Sequence, residues 1–184
     1  MKLKRPIKLV LPHAKAILDQ LSPFCERAEI VGSVRRVKTH VGDVELLIIP
    51  KRIPVLKNEQ LDLFSDPQYD FEVVDALNAI INRYNVYKGG LEQGGKMVQF
   101  FGPRRISFDI FTAELDNYGY QKVIRTGPHD HNVGYIIPRL KERGYQLENA
   151  HILKDGVIIP IYEEEDLYRL MESPFIPPNE RHIF

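Results

Sequence analysis

Apolar positions three and four residues apart open the readable part of the chain. Ala14, Ile17, Leu18 and Leu21 in "HAKAILDQL" predict a helix. Pro12 suits its first turn, where a missing N–H is no loss. The rhythm then changes. "AEIVGS" reads as a short strand ending in a Gly-Ser turn, and "DVELLIIP" is polar at its start and then apolar throughout. That second pattern marks a strand covered on both faces. Val73, Leu77, Ile80 and Ile81 within "DFEVVDALNAII", and Tyr84 just after it, return to helical spacing. "NVYKGG", "KMVQFFG" and "RRISFDIFTA" follow as three strands separated by Gly-rich turns. Beyond residue 116, "HNVGYIIPRLKERGY" predicts a helix closing at Gly144, with Pro138 kinking or restarting it. "HILKDGVIIPIY" carries Asp155-Gly156 between apolar runs, a hairpin signal, and "EDLYRLM" predicts a short helix before a Pro-rich tail.

This order predicts an α+β protein, with a mixed sheet and helices on one face. A larger lobe spans 1–115, and a small α/β subdomain spans 116–184. One connection breaks the pattern. "NEQLDLFSDPQ", residues 58–68, lies between "ELLIIP" and the helix-like run, yet carries Leu61, Leu63 and Phe64. Connections run over the surface, so three large apolar side chains there call for a partner.

Composition adds mostly exclusions. At 184 residues, with 43% hydrophobic and 27% charged residues, the chain can bury a proper core. No run of about 18 apolar residues is present, and the basic, Pro-broken N-terminus does not read as a signal peptide. A single cysteine, Cys25, excludes an internal disulfide and a cysteine-based zinc site, and fits the cytoplasm. Lys plus Arg and Asp plus Glu are both 25, so net charge says nothing of nucleic acid. The basic run Lys2, Lys4, Arg5 and Lys8 and the acidic run Glu163–Asp166 both read as solvated faces.

The chemistry concentrates in "VGSVRRVKTHVGDVELLII". Asp43 and Glu45 stand two apart on a strand, so both carboxylates point to one face. Side-by-side carboxylates are costly to bury unless a cation neutralises them, and oxygen ligands select a hard cation such as Mg²⁺. Asp109, polar inside the apolar strand "RISFDIF", supplies a third carboxylate that neighbouring strands can bring to the same spot. Gly32 and Ser33 offer a turn whose N–H groups can approach a phosphate, and Arg36 can neutralise one of its oxygens. Each piece alone is common; the conjunction is specific.

With these residues the chain resembles the nucleotidyltransferase superfamily, and more closely the family X DNA polymerases. Gly32-Ser33, "GDVELLII" and Asp109 carry the superfamily likeness. "GSVRR", "RTGPHDHN" and "IPPNERHIF" carry the family X likeness, over roughly residues 12 to 184. The layout is similar to the minimal viral form of that family, a palm plus a nucleotide-selecting C-terminal subdomain. The resemblance implies that Asp43, Glu45 and Asp109 bind two Mg²⁺ ions, with Mn²⁺ as a substitute. It implies that Gly32, Ser33, Arg36 and Gly42 position the triphosphate, and that Thr126, Gly127 and Asn132 border sugar and base. The implied reaction adds deoxynucleotides to a primer 3′-hydroxyl in gapped or primed DNA, by a monomeric enzyme of repair. The alternatives are another acceptor, such as an RNA end or a small-molecule hydroxyl, and a non-catalytic module that binds a sliding clamp.

Three positions depart from the family pattern. The family's second aspartate is Glu45, the aromatic pair before Thr-Gly is Ile124-Arg125, and a basic residue two before the third aspartate is Ser107. A cis peptide is expected at Gly127-Pro128, since X-Pro bonds accept cis far more readily than others. Gln60, Leu61, Leu63 and Phe64 in "QLDLF" resemble the pentapeptide by which bacterial DNA-processing proteins dock on the sliding clamp. A polymerase without duplex-gripping domains holds DNA weakly, and a tether of this kind raises its local concentration.

Overall fold

A computed structural model of the chain describes residues 3–56, 69–92 and 95–181. In chain order the elements are β1 (Arg5–Pro6), α1 (Ile7–Leu21), β2 (Cys25–Val31), α2 (Gly32–Arg35), β3 (His40–Val41), β4 (Asp43–Pro50), β5 (Arg52–Leu56) and β6 (Tyr69–Val73). There follow α3 (Asp75–Ile81), β7 (Asn85–Gly90), β8 (Met97–Phe101), β9 (Ser107–Thr112), α4 (Tyr118–Thr126) and α5 (His129–His131). A π-helical turn, Asn132–Ile136, leads into α6 (Ile137–Glu142), then β10 (Gln146–Glu148), β11 (His151–Lys154), β12 (Val157–Ile159) and α7 (Glu164–Leu170).

The fold is α+β around a mixed five-stranded sheet of order β2-β4-β9-β8-β7. β4 and β9 are parallel, and the other neighbours are antiparallel. Alternation along β4 decides what each face does. Val44, Leu46 and Ile48 pack with Phe108 and Ile110 of β9 against α1 and α3, forming the larger core. Leu47 and Ile49 point the other way, to Phe111 and to Tyr118 of α4. Asp43 and Glu45 share the parity of that second face. A separate core of Val123, Tyr135, Ile136, Leu140, Ile152, Leu167, Tyr168 and Met171 lies within the C-terminal elements.

Several elements depart from the sequence reading. α1 begins at Ile7, so Pro12 sits inside it rather than in its first turn. Val10 is buried with Ala14, Ile17 and Leu21, extending the apolar stripe one turn towards the N-terminus. Pro12 itself is exposed, where water can serve the carbonyl it leaves without a partner. "DFEVV" is not helical: β6 pairs antiparallel with β5, from Arg52 opposite Val73 to Leu56 opposite Tyr69. Val73 is buried while Phe71, on the same strand, is exposed, and Val73 stands four before Leu77 only by coincidence of period. The segment 57–68 therefore links the paired ends of a hairpin, not a strand to a helix. Gln60, Leu61, Leu63 and Phe64 lie outside the described residues.

Other expectations hold. α6 restarts at Ile137 with Pro138 in its first turn, and Gly144 closes it with φ +78°. Asp155 and Gly156 turn the β11–β12 hairpin with φ of 52° and 79°. The Gly127-Pro128 peptide is cis. No helix among the described residues is long and apolar enough to cross a membrane.

Candidate active site

Register brings the three predicted carboxylates together. Glu45 stands directly opposite Asp109 across the parallel pair, and Asp43 stands opposite Ser107 two residues earlier. All three lie on the sheet face turned away from α1 and α3. Asp109 is 6% exposed, while Asp43 and Glu45 are half-buried. Asp109 receives a long hydrogen bond, 3.5 Å, from the Ser107 hydroxyl, which in turn meets the Tyr87 hydroxyl at 2.8 Å. Arg104 and Arg105 occupy the turn before β9 in left-handed conformations, and Arg105 lies over the Phe101 ring at 5.6 Å. A small cleft beside Asp43 is lined by Arg5, Gly42, Phe101, Arg105 and Ser107.

The Gly-Ser turn is built against these carboxylates. Gly32 adopts φ +67°, and a Cβ there would fall 1.7 Å from Glu45 Oε2. Only glycine fits, because both the backbone angle and the carboxylate forbid a side chain. α2 is one turn closed by Arg36 N–H donating to the Gly32 carbonyl at 3.1 Å. From that turn two arginines reach the C-terminal elements. Arg35 donates to Thr126 Oγ1 at 2.8 Å, and Arg36 donates to the Thr126 carbonyl. The "RTG" turn thus sits over the sheet, with Gly127 at φ +64° and its missing Cβ 3.2 Å from Arg36 Nη1. Gly32, Ser33 and Arg36 of this turn therefore lie beside Thr126 and Gly127. Asn132 opens the π-helical turn and donates from Nδ2 to the Ile124 carbonyl at 2.8 Å.

Electrostatics follow from burial. Burial lowers the Arg36 pKa, against the pull of Glu45 and Asp43, and Arg181 lowers it further. Burial also lowers Arg125, with Glu45 opposing. Arg125, absent from the sequence prediction, lies over the Phe111 ring at 3.9 Å. Among the described residues, Arg36 Nε and Asn132 Oδ1 are buried without hydrogen-bond partners. Such atoms are costly unless a ligand satisfies them. A guanidinium N–H suits a phosphate oxygen, and an amide oxygen suits a sugar or base donor. Three carboxylates form an oxygen donor set of the kind that holds Mg²⁺ or Mn²⁺ beside a phosphate. The residues present therefore fit both groups.

The acidic run at Glu163–Asp166 is not merely a solvated face. Glu164 is 3% exposed, paired with Arg35 and with Arg181 Nη2 at 3.0 Å. Arg181 is 2% exposed and also donates to the Ile176 carbonyl at 3.0 Å. Glu163 pairs with Arg27 at 2.8 Å, while Glu29 takes Lys122 at 2.6 Å and the Tyr118 hydroxyl at 3.1 Å. These charges fasten α4 and α7 to the edge strand β2 and the arginine turn. The sequence holds no signal for the Arg35–Glu164 and Arg27–Glu163 pairs, whose partners are more than a hundred residues apart.

A further grouping escaped the sequence. Glu114, Asp116 and His151, past the C-terminal end of β9, place three metal-ligand atoms within 4.8 Å of one another.

A family model described as the DNA polymerase beta thumb matches residues 123–182, about a third of the chain. No curated protein sequence matches the chain.

Proposed function

We propose that this chain is a small DNA polymerase of the family X type, adding deoxynucleotides to a primer 3′-hydroxyl. The residues 123–182 are similar to a polymerase thumb, which hints at DNA as the substrate. The observation that carries the catalytic reading is the row Asp43, Glu45 and Asp109 beneath the turn that Arg35 and Arg36 hold. In the reaction the primer oxygen bonds to the α-phosphorus, and pyrophosphate leaves with the electron pair of the broken P–O bond.

Each residue then has a task. Asp43, Glu45 and Asp109 would hold two Mg²⁺ or Mn²⁺ ions, which supply charge to ionise the hydroxyl and to neutralise the triphosphate. Asp109, the most buried of the three, orients the attacking hydroxyl. Arg36 donates its unpartnered Nε–H to a phosphate oxygen. Gly127 leaves room for the sugar, and Asn132 Oδ1 accepts a hydrogen bond from the nucleotide. In this reading residues 1–115 form the palm and 116–184 the nucleotide-selecting subdomain.

Primer extension tests the proposal. With Mg²⁺ or Mn²⁺, the protein should incorporate deoxynucleotides on at least one of gapped, templated or single-stranded DNA. Failure on all three, with ribonucleotides as well, removes it and leaves another acceptor or a non-catalytic role.

The likeness of Gln60–Phe64 to a clamp-docking peptide supports a tether to a bacterial sliding clamp. Extended peptides with apolar plugs suit such pockets. The wild-type chain should retain the clamp in a pull-down, and Leu63→Ala with Phe64→Ala should lose it. Equal retention by both would sink the tether while leaving the polymerase reading intact.

A further inference from the structure

Glu114 and Asp116 lie on the connection that follows β9, held at its start by Ala113 N–H donating to the Ile48 carbonyl at 2.9 Å. The Glu114 N–H donates to Asn117 Oδ1 at 2.9 Å, and the Asp116 carbonyl accepts from Ile161 N–H at 2.6 Å. Both carboxylates therefore stand on an ordered turn. His151 opens β11, after a left-handed turn at Asn149 and Ala150. Its Nδ1 lies 3.0 Å from the Asn149 carbonyl. A carbonyl only accepts, so Nδ1 carries the hydrogen and Nε2 faces inward. Nε2 is 3.4 Å from Asp116 Oδ1 and 3.8 Å from Glu114 Oε2.

Three electron-pair donors thus converge, two from the connection after β9 and one from β11, and a cation between them would offset their mutual repulsion. The spacing fits a metal ion: ligands about 2.1 Å from a tetrahedral centre lie about 3.4 Å apart. The orientation of the imidazole by a backbone carbonyl is the usual outer support of a metal-bound histidine. Asn117 Nδ2 lies 3.3 Å from Nε2. Glu114 and His151 line a cavity of about 170 Å³, with Arg52 and Lys96 on its wall. That space leaves a fourth position open to water or to an anion drawn by the two cations.

We propose that Glu114, Asp116 and His151 bind one divalent cation of the zinc class, clasping the connection after β9 to the β10–β11 hairpin. The imidazole separates this site from the all-oxygen row of Asp43, Glu45 and Asp109, since nitrogen ligands favour zinc and carboxylates alone favour magnesium. The inference stands without the polymerase reading.

The rival occupant is a proton on Nε2, which would make His151 an imidazolium paired to both carboxylates. Calorimetric zinc titration distinguishes the two, in full-length protein carrying Asp43→Asn and Asp109→Asn and with Mg²⁺ in excess. One zinc per chain is expected, with binding weakened at least about 100-fold by adding His151→Ala. Cobalt should shift the His151 ring resonances beyond those of the other histidines. If His151→Ala fails to fold by circular dichroism, Asp116→Asn carries the same comparison. Zinc binding unchanged by these variants, or no zinc bound while the His151 ring merely titrates, would overturn the site.

Discussion

Replacing Asp109 with Asn should reduce nucleotide incorporation by about a thousandfold or more, equivalent to roughly 4 kcal/mol of transition-state stabilisation. The shape is unchanged and only charge is removed, at the most buried carboxylate of the row. Its neighbour Glu45 lies directly across the parallel pair, so losing one of two adjacent negative charges relieves repulsion. Folding stability should therefore hold within about 1 kcal/mol or rise slightly. Single-turnover incorporation and thermal denaturation on the same preparation separate the two effects. A variant that keeps wild-type incorporation would place the chemistry elsewhere. One that loses activity together with its fold would show Asp109 to be structural.

The second large effect belongs to Glu164. Glu164→Gln leaves Arg35 and Arg181 facing each other across a buried site with their shared counter-charge gone. Breaking a buried pair from one side typically costs about 3–5 kcal/mol, here about 10 °C in Tm for a chain of this size. The pH dependence has a definite sign. Burial pushes the Glu164 carboxyl up, but the Arg35 hydrogen bond and the Arg181 charge outweigh it, holding it below the usual carboxylate range. The folded state thus binds fewer protons than the unfolded one. The stability from Glu164 is complete above an ordinary carboxylate pKa, about 4.3, and is lost as pH falls through the lower folded value. His131 acts in the same direction: burial, with Arg181 and Arg139, pushes its imidazole down to about 4. Wild-type protein should begin to weaken below about pH 6.5, where the unfolded imidazole charges. The gap between wild type and Glu164→Gln should narrow only in stronger acid. Denaturant midpoints across that range give both readings, and a constant gap would show that the pair does not govern acid stability.

How much of this was readable from residues depends on how local each cause is. β4 was legible because an apolar run on both faces leaves few alternatives to a buried strand, and the two carboxylates at its start announced themselves by violating that pattern. Asp155-Gly156 was legible because left-handed backbone is a property of two residues. α4 was not, because it buries Gln121 and Thr126 and exploits Gly119 to approach the Glu163 backbone, where a Cβ would fall 2.3 Å from its carbonyl. Such a helix is amphipathic, but its buried face is largely polar or aromatic and its mean hydropathy is low, so no apolar stripe marks it. The β5–β6 hairpin was hidden by a strand whose last buried residue mimics the first position of the next helix. The Arg35–Glu164–Arg181 clasp and the Glu114–Asp116–His151 group arise only when distant turns meet, so no window of sequence contains them.

The β5–β6 hairpin stands apart from the five-stranded sheet, pairing only with itself. Its root is tied down by Lys51 N–H to the Phe24 carbonyl and Val74 N–H to the Lys51 carbonyl, at 3.0 and 3.2 Å. No carboxylate of the row and no arginine of the turn belongs to it. Changes in segment 57–68 should therefore leave the melting temperature of the five-stranded sheet and the register of Asp43, Glu45 and Asp109 unaltered. On the proposed function the hairpin is a socket: what is plugged into it would redirect where the protein works and leave the row of carboxylates as it stands.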